Sequence, residues 1–154
     1  MSSTNIDYVD TYFEFPSLTR IHGEPNYDSL KIVKDELRSN ATSVTSDLGG
    51  GAYGHLGLVL TNVEYQVVSP TAYNRPNHPG PLIIPIGTAQ HEATRLREEH
   101  KTSIRLFRET IDVEKALIKQ LVAAIEPKYL KSLRNDHTNA IDVSISAVLT
   151  HLFE

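Results

Sequence analysis

The sequence predicts an all-α fold: a helical bundle around one long central helix, or two consecutive helices, with a Gly-rich loop and a Pro-rich extended connection. From Thr88 to Glu126 the chain contains neither Pro nor Gly, the two strongest helix breakers. Oppositely charged residues there stand three or four apart, which supports a helix. The apolar residues recur at helical spacing and form a broad stripe, which consists of Ile104, Leu106, Phe107, Ile111, Val113, Leu117, Ile118, Leu121 and Ala124. A helix this long cannot bury its stripe alone, so the other segments must pack around it.

Composition limits the class of protein. The chain has 154 residues, the size of one ordinary domain or two very small ones. It has no Cys, which excludes disulfides and thiolate zinc sites and fits a reducing compartment, so we expect a cytoplasmic protein. No apolar run is long enough to cross a membrane, and the N-terminus lacks the pattern of a signal peptide. The net charge of −4 argues against a domain that holds RNA mainly by its charge.

The sequence predicts a short amino-terminal arm followed by one helical domain. Residues 1–14 are polar and acidic with scattered aromatics, which predicts a flexible arm that is disordered or orders only against a partner. Residues 15–154 are expected to form the helical domain, with Phe15, Leu18 and Ile21 anchoring an extended segment on its core.

A first helix is predicted to follow Asn26, which offers an N-cap. Its inward residues are expected at intervals of three, three and four, and they are Tyr27, Leu30, Val33 and Leu37. The polar stretch RSNATSVTS, residues 38–46, has the composition of a loop and should end this helix.

Glycines dominate the next stretch, which we call the glycine-rich loop (residues 49–57). Leu56 to Leu60 is apolar enough to be buried, as an extended piece or a short turn. Thr61 to Glu64 matches the capping box, so a short helix should begin there and end before Pro70.

The proline-rich connection (residues 71–87) carries too many prolines for a helix. Its LIIPI sequence is too apolar to be free, so we expect it to lie pinned along the bundle. Thr88 can then cap the long helix, and Pro127 fits the first turn of the next one. Asp142 or Ser144 can cap a last helix that turns Ile145, Val148, Leu149 and Leu152 inward.

Motifs of catalysis and cofactor binding are missing from the sequence. A phosphate-binding loop needs Lys and Ser or Thr after its last Gly, but Gly54 is followed by His55 and Leu56. The glycines therefore indicate a shaped loop whose backbone packs closely. His91 and His100 are nine residues apart, which is not the spacing of a helical zinc site. We predict no cofactor, no metal and no catalytic residue, and hence a protein that is not an enzyme.

Basic residues on the predicted long helix form a more specific pattern. Spacings of four, four and three place a basic stripe on one helical face, and its members are Arg97, Lys101, Arg105 and Arg108. The plainer interpretation is a solvated face balanced by neighbouring glutamates. The functional interpretation is a contact with a polyanion, or the charged rim of a self-assembly surface.

Four stretches together resemble the Gag polyprotein of copia-type LTR retrotransposons (Pseudoviridae). They are LGGGAYGHLGLVLTNVEY (residues 48–65), PNHPGPLIIPIGT (76–88), VEKALIKQLVAAIEPKYLKSL (113–133) and AVLTHLFE (147–154), and their order and spacing carry the likeness. In that family the last helix usually runs further, so the chain looks like an excised amino-terminal part.

This resemblance implies a capsid-forming helical domain, similar to the amino-terminal capsid domain of retroviral Gag, that assembles with itself into an intracellular virus-like particle. It implies that the element's RNA is bound by a region outside this chain. The alternative from the residues alone is a nucleic-acid or polyanion-binding module that uses the basic stripe. An enzyme of unknown class is the third hypothesis.

Overall fold

The structure, a computed structural model, describes residues 7–154. Within that range every regular element is helical, and the only strand-like feature is an isolated bridge between Arg134 and Ile141. The all-α prediction is therefore confirmed. The α-helices of this part are α1 (Tyr8–Thr11), α2 (Tyr27–Ser43), α3 (Leu56–Val59), α4 (Asn62–Val68), α5 (Gln90–Ala124) and α6 (Ile145–Phe153), with 3₁₀ turns at Leu48–Gly50, Pro127–Tyr129 and Lys131–Leu133. None of these helices combines the length and apolarity needed to cross a membrane.

The chain divides into two compact units. The first unit contains the described residues up to Asn74 together with Val113–Glu154, and the second contains Arg75–Asp112. α5 is one continuous helix that begins in the second unit and ends in the first. Of the two alternatives left open by the sequence, one long helix is therefore the correct one.

The core of the first unit is built mainly from the inward faces of its helices. α3 packs against α2, α4 and α6. Fully buried aliphatic side chains come from every one of the larger helices of this unit, and they are Leu30, Val33 and Leu37 of α2, Val113, Leu117 and Leu121 of α5, and Ile145 and Val148 of α6. Burying a side chain of this size is worth about 1.5–3 kcal/mol, so these contacts dominate the stability of the unit.

α2 is longer than the sequence predicted. The segment that we expected to be a loop stays helical as far as Ser43, because Asn40 and Ala41 are both buried. The buried side chain of Asn40 forms its hydrogen bonds with residues far away in the sequence. Its amide oxygen accepts from the N–H of Phe15 at 2.8 Å, and its amide nitrogen donates to the side chain of Gln120 at 2.8 Å. At the other end, Asn26 forms the predicted N-cap, but Tyr27 is 67% exposed and not inward.

The amino-terminal segment is fixed to the first unit from residue 7 onwards. Of the expected arm, residues 1–6 lie outside the described residues, whereas residues 8–11 form α1. Tyr8 and Phe13 are buried in the core. Leu18 and Ile21 are buried as expected, and Phe15 is half-buried.

The glycine-rich loop packs closely, as the sequence predicted. Tyr65 donates its hydroxyl to the carbonyl of Gly49 at 2.8 Å, and a Cβ on Gly49 would overlap that hydroxyl. A Cβ on Gly57, within α3, would overlap the ring of Tyr73. The backbone therefore approaches two buried tyrosines where no side chain would fit.

The second unit is the start of α5 together with residues 75–89. The ring of His78 packs edge-on to Phe107 at 5.2 Å between centroids, and Nε2 of His100 lies 2.7 Å from the carbonyl oxygen of Gly80. A carbonyl accepts only, so His100 donates there. Thr88 does not cap α5, because its hydroxyl donates to the Pro85 carbonyl and the helix begins at Gln90.

The remaining caps agree with the sequence. Thr61 forms the capping box of α4, and Ser144 accepts from the N–H of Ala147 to cap α6. Glu114, which is 8% exposed, also accepts from the N–H of Ile145 at 3.3 Å. A carboxylate beside unpaired N–H groups at a helix start is favourable, so Glu114 fixes α6 to α5 within the first unit. Pro127 opens a 3₁₀ turn, as its position predicted.

Candidate functional site

The basic stripe lies on the part of α5 that belongs to the second unit, and its members Arg97, Lys101, Arg105 and Arg108 are all exposed. A helix turns by roughly 100° per residue, so the four side chains fall within about 80° of arc. The continuous helix therefore brings them to one face, as their spacing predicted.

The charges around the stripe are partly balanced. Lys101 lies 3.6 Å from a carboxylate oxygen of Glu98, and Arg105 lies 4.0 Å from one of Glu109. Arg97 and Arg108 form no ion pair within residues 7–154. Residues 90–112 contain five acidic and five basic residues, so the helix segment as a whole is neutral. Exposed pairs at such distances contribute little and are screened by salt.

A further arginine on the same helix, Arg95, is already engaged in ion pairs. Arg95 forms ion pairs with Glu92 and Glu99. Its hydrogen bond with Glu92, reinforced by that with Glu99, raises the pKa of the Arg95 guanidinium, and the bond with Arg95 lowers the pKa of Glu92. Arg95 is therefore a structural charge that does not extend the stripe.

Exposed valines on α4 form a second surface, in the first unit. Val63 is 74% exposed, Val67 is 84% exposed, and Val68 is 40% exposed. The first two stand four residues apart, so they are neighbours on one helical face. Tyr65, on the opposite side, is 2% exposed. α4 therefore buries one face in the core and presents an aliphatic face to its surroundings.

The valine face is held in place by polar contacts at the start of α4. Glu64 accepts from the N–H of Thr61 at 3.0 Å and from Nζ of Lys34 at 2.9 Å. Burial opposes ionisation of Glu64, but the bonds from Thr61 and Lys34 outweigh it and lower the pKa of this carboxyl. Lys34 belongs to α2, so the ion pair joins α4 to a neighbouring helix.

Exposed isoleucines of the proline-rich connection form a third surface, in the second unit. Ile83 is 74% exposed, and Ile86 is fully exposed. Leu82 is 39% exposed, whereas Ile84 is half-buried. The sequence predicted that the LIIPI stretch lies pinned along the bundle, yet Ile83 and Ile86 within it remain exposed.

Buried polar groups lie beside the glycine-rich loop. His55 is fully buried, and its Nδ1 lies 2.8 Å from the hydroxyl of Tyr73. The hydroxyl of Ser69 has a single proton and lies within donating distance of two carbonyl oxygens, that of Gly49 at 3.1 Å and that of Thr71 at 3.2 Å. Within residues 7–154 no three acidic or histidine side chains converge as metal ligands would. These polar groups serve each other and the loop backbone.

Sequence reasoning found the basic stripe but missed both aliphatic surfaces. A signal existed for α4: residues two apart on a helix point about 160° away from each other. If Tyr65 faces the core, Val63 and Val67 must therefore face outwards. No comparable signal existed for Ile83 and Ile86, because an irregular segment has no fixed period.

Comparisons with protein-family models, with curated proteins and with solved structures gave no match. The resemblance to copia-type Gag stays a prediction that rests on the four sequence stretches quoted above. The functional conclusion must therefore come from the surfaces of the described residues.

Proposed function

We propose that this chain is a structural protein whose copies assemble with each other, as the amino-terminal capsid domain of a retrotransposon Gag does. Its partner is itself, its particle is intracellular, and the element's RNA is bound by a region outside this chain. The all-α fold with one long helix agrees with the proposal, and so do the four sequence stretches that resemble Gag.

The observation that carries the proposal is the aliphatic face of α4. Val63 and Val67 stand side by side on a helix that is capped and ion-paired, so the ordered backbone presents them to their surroundings. Apolar side chains grouped on an ordered surface mark interaction sites more often than single exposed ones. A contact of this small size is weak alone, but many copies acting together give a stable assembly.

The test measures assembly of the purified chain and of two variants. Light scattering and electron microscopy of the wild type should show ordered particles, sheets or filaments above a threshold concentration. Val67→Asp should raise that threshold at least tenfold, because a charge would be buried at the contact. The control is Gln66→Asp, which adds the same charge at the neighbouring exposed position and should leave the threshold unchanged. A wild type that stays monomeric at every concentration and salt condition would refute the proposal.

The second candidate function is polyanion binding by the basic stripe. The specific observation in its favour is that Arg97 and Arg108 are exposed on one face without an ion pair within residues 7–154. The neutral total charge of residues 90–112 argues against high affinity. We therefore place this function second.

The second candidate has its own test, RNA binding across a salt series. The double variant Arg97→Glu/Arg105→Glu should weaken binding to single-stranded RNA and reduce the slope of log K against log salt by about 1.4, because two phosphate contacts are lost. Lys31→Glu/Arg38→Glu makes the same charge change on the exposed face of α2 and serves as the control. Equal binding by both double variants would remove the stripe as an RNA site.

A further inference from the structure

The amino-terminal strap, which we define as residues 7–21, supplies part of the core of the first unit. Its buried side chains lie in the same apolar cluster as the inward residues of α2 and α5, and they are Tyr8, Phe13, Leu18 and Ile21. Most of the residues in that cluster are far from the strap in the sequence. The fit therefore depends on the two surfaces and not on their belonging to one copy of the chain.

Hydrogen bonds fix where the strap lies on the two helices. The side-chain amide of Gln120 on α5 donates to the carbonyls of Phe15 at 3.0 Å and Pro16 at 2.9 Å. The N–H of Thr19 donates to the carboxylate of Glu36 on α2 at 2.8 Å, and its hydroxyl donates to the same carboxylate at 2.9 Å. These partners define a strap site on α2 and α5. A strap that arrives from another copy would form the same bonds.

A short linker, residues 22–25, connects the strap to α2. His22, Gly23 and Glu24 are exposed. No hydrogen bond joins the linker to the rest of residues 7–154. Gly23 has a φ of +78°, and a Cβ there would meet nothing within 4 Å. The linker can therefore take another path without losing a hydrogen bond or meeting a neighbour.

The strap covers its site incompletely. A groove of about 470 Å³ remains between the strap and the last turns of α5. Pro16 and Leu18 line one side of the groove, and Ala116 and Ala123 line the other. Segments with incomplete packing open at a lower cost than the whole fold does. We therefore expect the strap to leave its site while the helices of the first unit stay folded.

We propose that two copies exchange their straps, so that residues 7–21 of each copy occupy the strap site of the other. The inference rests on the proposed self-assembly and names one of its contacts. The occupant is identified by the site itself, because the strap fits that surface within one chain. Exchange of an identical element is a low-cost route to a dimer, since every contact already exists in the monomer. It also gives a far larger contact than the valine face of α4, as a stable pair requires.

Strap exchange and the valine face of α4 have different consequences for assembly. Exchange is reciprocal, so it joins copies only in pairs. α4 contains none of the strap's hydrogen-bond partners named above, and its valines stay available on both members of a pair. The pair can then grow into larger assemblies through α4. Val67→Asp should stop this growth and leave the exchanged pair intact, so the Val67→Asp background isolates the exchange.

Cysteine cross-linking detects the exchange directly, because the chain has no cysteine of its own. One copy carries Thr19→Cys and the other carries Glu36→Cys, both in the Val67→Asp background. The two are mixed in urea, refolded together at high concentration and treated with a short bismaleimide. Because Thr19 and Glu36 are hydrogen-bonded across the strap site, an exchanged strap brings the two thiols of different copies together. A covalent heterodimer should therefore form.

The control for cross-linking measures chance encounters between exposed thiols. It pairs Thr19→Cys with Asp28→Cys, which is exposed on α2 about 12 Å along the helix from Glu36. The pair with Glu36→Cys should give at least about tenfold more heterodimer than the control, because bound thiols react at a high effective concentration. Equal yields would overturn strap exchange.

The linker gives a second test that needs no cysteine. Proline cannot adopt the positive φ of Gly23, so Gly23→Pro disfavours the turn that returns the strap to its own site. It permits an extended linker, as exchange requires. Gly23→Pro should lower the dimer dissociation constant in sedimentation at least about tenfold in the Val67→Asp background, because pairing relieves the strain of two linkers. Gly23→Asn is the matched control, since Asn tolerates positive φ, and it should leave the constant unchanged.

The outcomes separate this inference from the proposed function. Cross-linking at the level of the control, or a folded Gly23→Pro variant as monomeric as Gly23→Asn, would overturn strap exchange; a wild type that still forms particles would then keep the proposed function. A wild type that forms the cross-linked pair but nothing larger would support the exchange and refute the proposed particle. A wild type that stays monomeric at every concentration and gives no cross-linked product would refute both.

Discussion

The glycine-rich loop and the proline-rich connection both interrupt a helical sequence, but they differ in how exposed the large side chains beside them are. Against the loop the side chains are buried: Tyr65, which donates to Gly49, is 2% exposed, and His55 within the loop is 0% exposed. In the connection, Ile83 and Ile86 are 74% and fully exposed. The glycine-rich loop packs into the core of the first unit. The proline-rich connection leaves aliphatic side chains of the second unit exposed.

The glycines of the two regions differ in the same way. A Cβ on Gly54 would lie 2.6 Å from the carbonyl oxygen of Thr42 and closer still to that of Val44. A Cβ on Gly87 would meet nothing within 4 Å. Both glycines have positive φ, +54° and +88°, so backbone conformation alone does not distinguish them. In the loop glycine is required for space, and in the connection it is required only for conformation.

The largest expected effect separates these two requirements. Gly54→Ala should destabilise the chain by about 2–6 kcal/mol, since left-handed strain of about 1–3 kcal/mol adds to overlap of about 1–3 kcal/mol with backbone carbonyls that are fixed in place. Gly87→Ala, the matched control, carries the strain alone and should lose about 1 kcal/mol. Urea unfolding followed by circular dichroism measures both. Equal losses at the two positions would remove the contrast between space and conformation.

The parts of the fold that could be predicted from the sequence are those with local causes. The capping box of α4 needs only Thr61 and Glu64, three residues apart, and it was predicted. The extension of α2 through Asn40 could not be predicted, because its partners Phe15 and Gln120 are 25 and 80 residues away. The tertiary hydrogen bonds of Asn40 therefore outweigh the weak helix propensity of this polar stretch.

The candidate surfaces follow the same division. The basic stripe depends only on helical spacing, so the sequence alone predicts that its members share one face. The exposure of Ile83 and Ile86 depends on which side of an irregular segment meets α5, and no sequence period reports that. Whether one of these surfaces binds a partner depends also on the partner's surface. Neither the residue spacing nor the packing of a single chain gives that information.

The next largest effect concerns the hydroxyl that Tyr65 donates to Gly49. Tyr65→Phe should destabilise the first unit by about 1 kcal/mol, because the buried Gly49 carbonyl loses the phenol and keeps only the Ser69 hydroxyl, at 3.1 Å, whose one proton the Thr71 carbonyl at 3.2 Å can also accept. Removing the second donor as well, in Tyr65→Phe/Ser69→Ala, should lose more than the sum of the two single changes. Strictly additive losses in urea unfolding would show that the two bonds act independently.

The pH dependence of stability should report the same phenol. Burial raises the pKa of Tyr65 above its ordinary value of 10. The folded state therefore favours the protonated phenol, and this contribution is complete below pH 10 and is lost as the pH rises through the folded pKa. Unfolding free energy measured from about pH 9 to pH 11 should fall less steeply in Tyr65→Phe than in the wild type. Identical slopes would place the titration elsewhere in the chain.

The smallest expected effect lies in the proline-rich connection. Ile83→Ser/Ile86→Ser removes two large apolar side chains, a change that loses several kcal/mol in a core. Because both side chains are mostly exposed, we expect a stability change within about 0.5 kcal/mol when the chain is measured as a dilute monomer. A loss of 2 kcal/mol or more in the monomer would mean that these isoleucines are buried in solution, and the contrast between the two regions would fail.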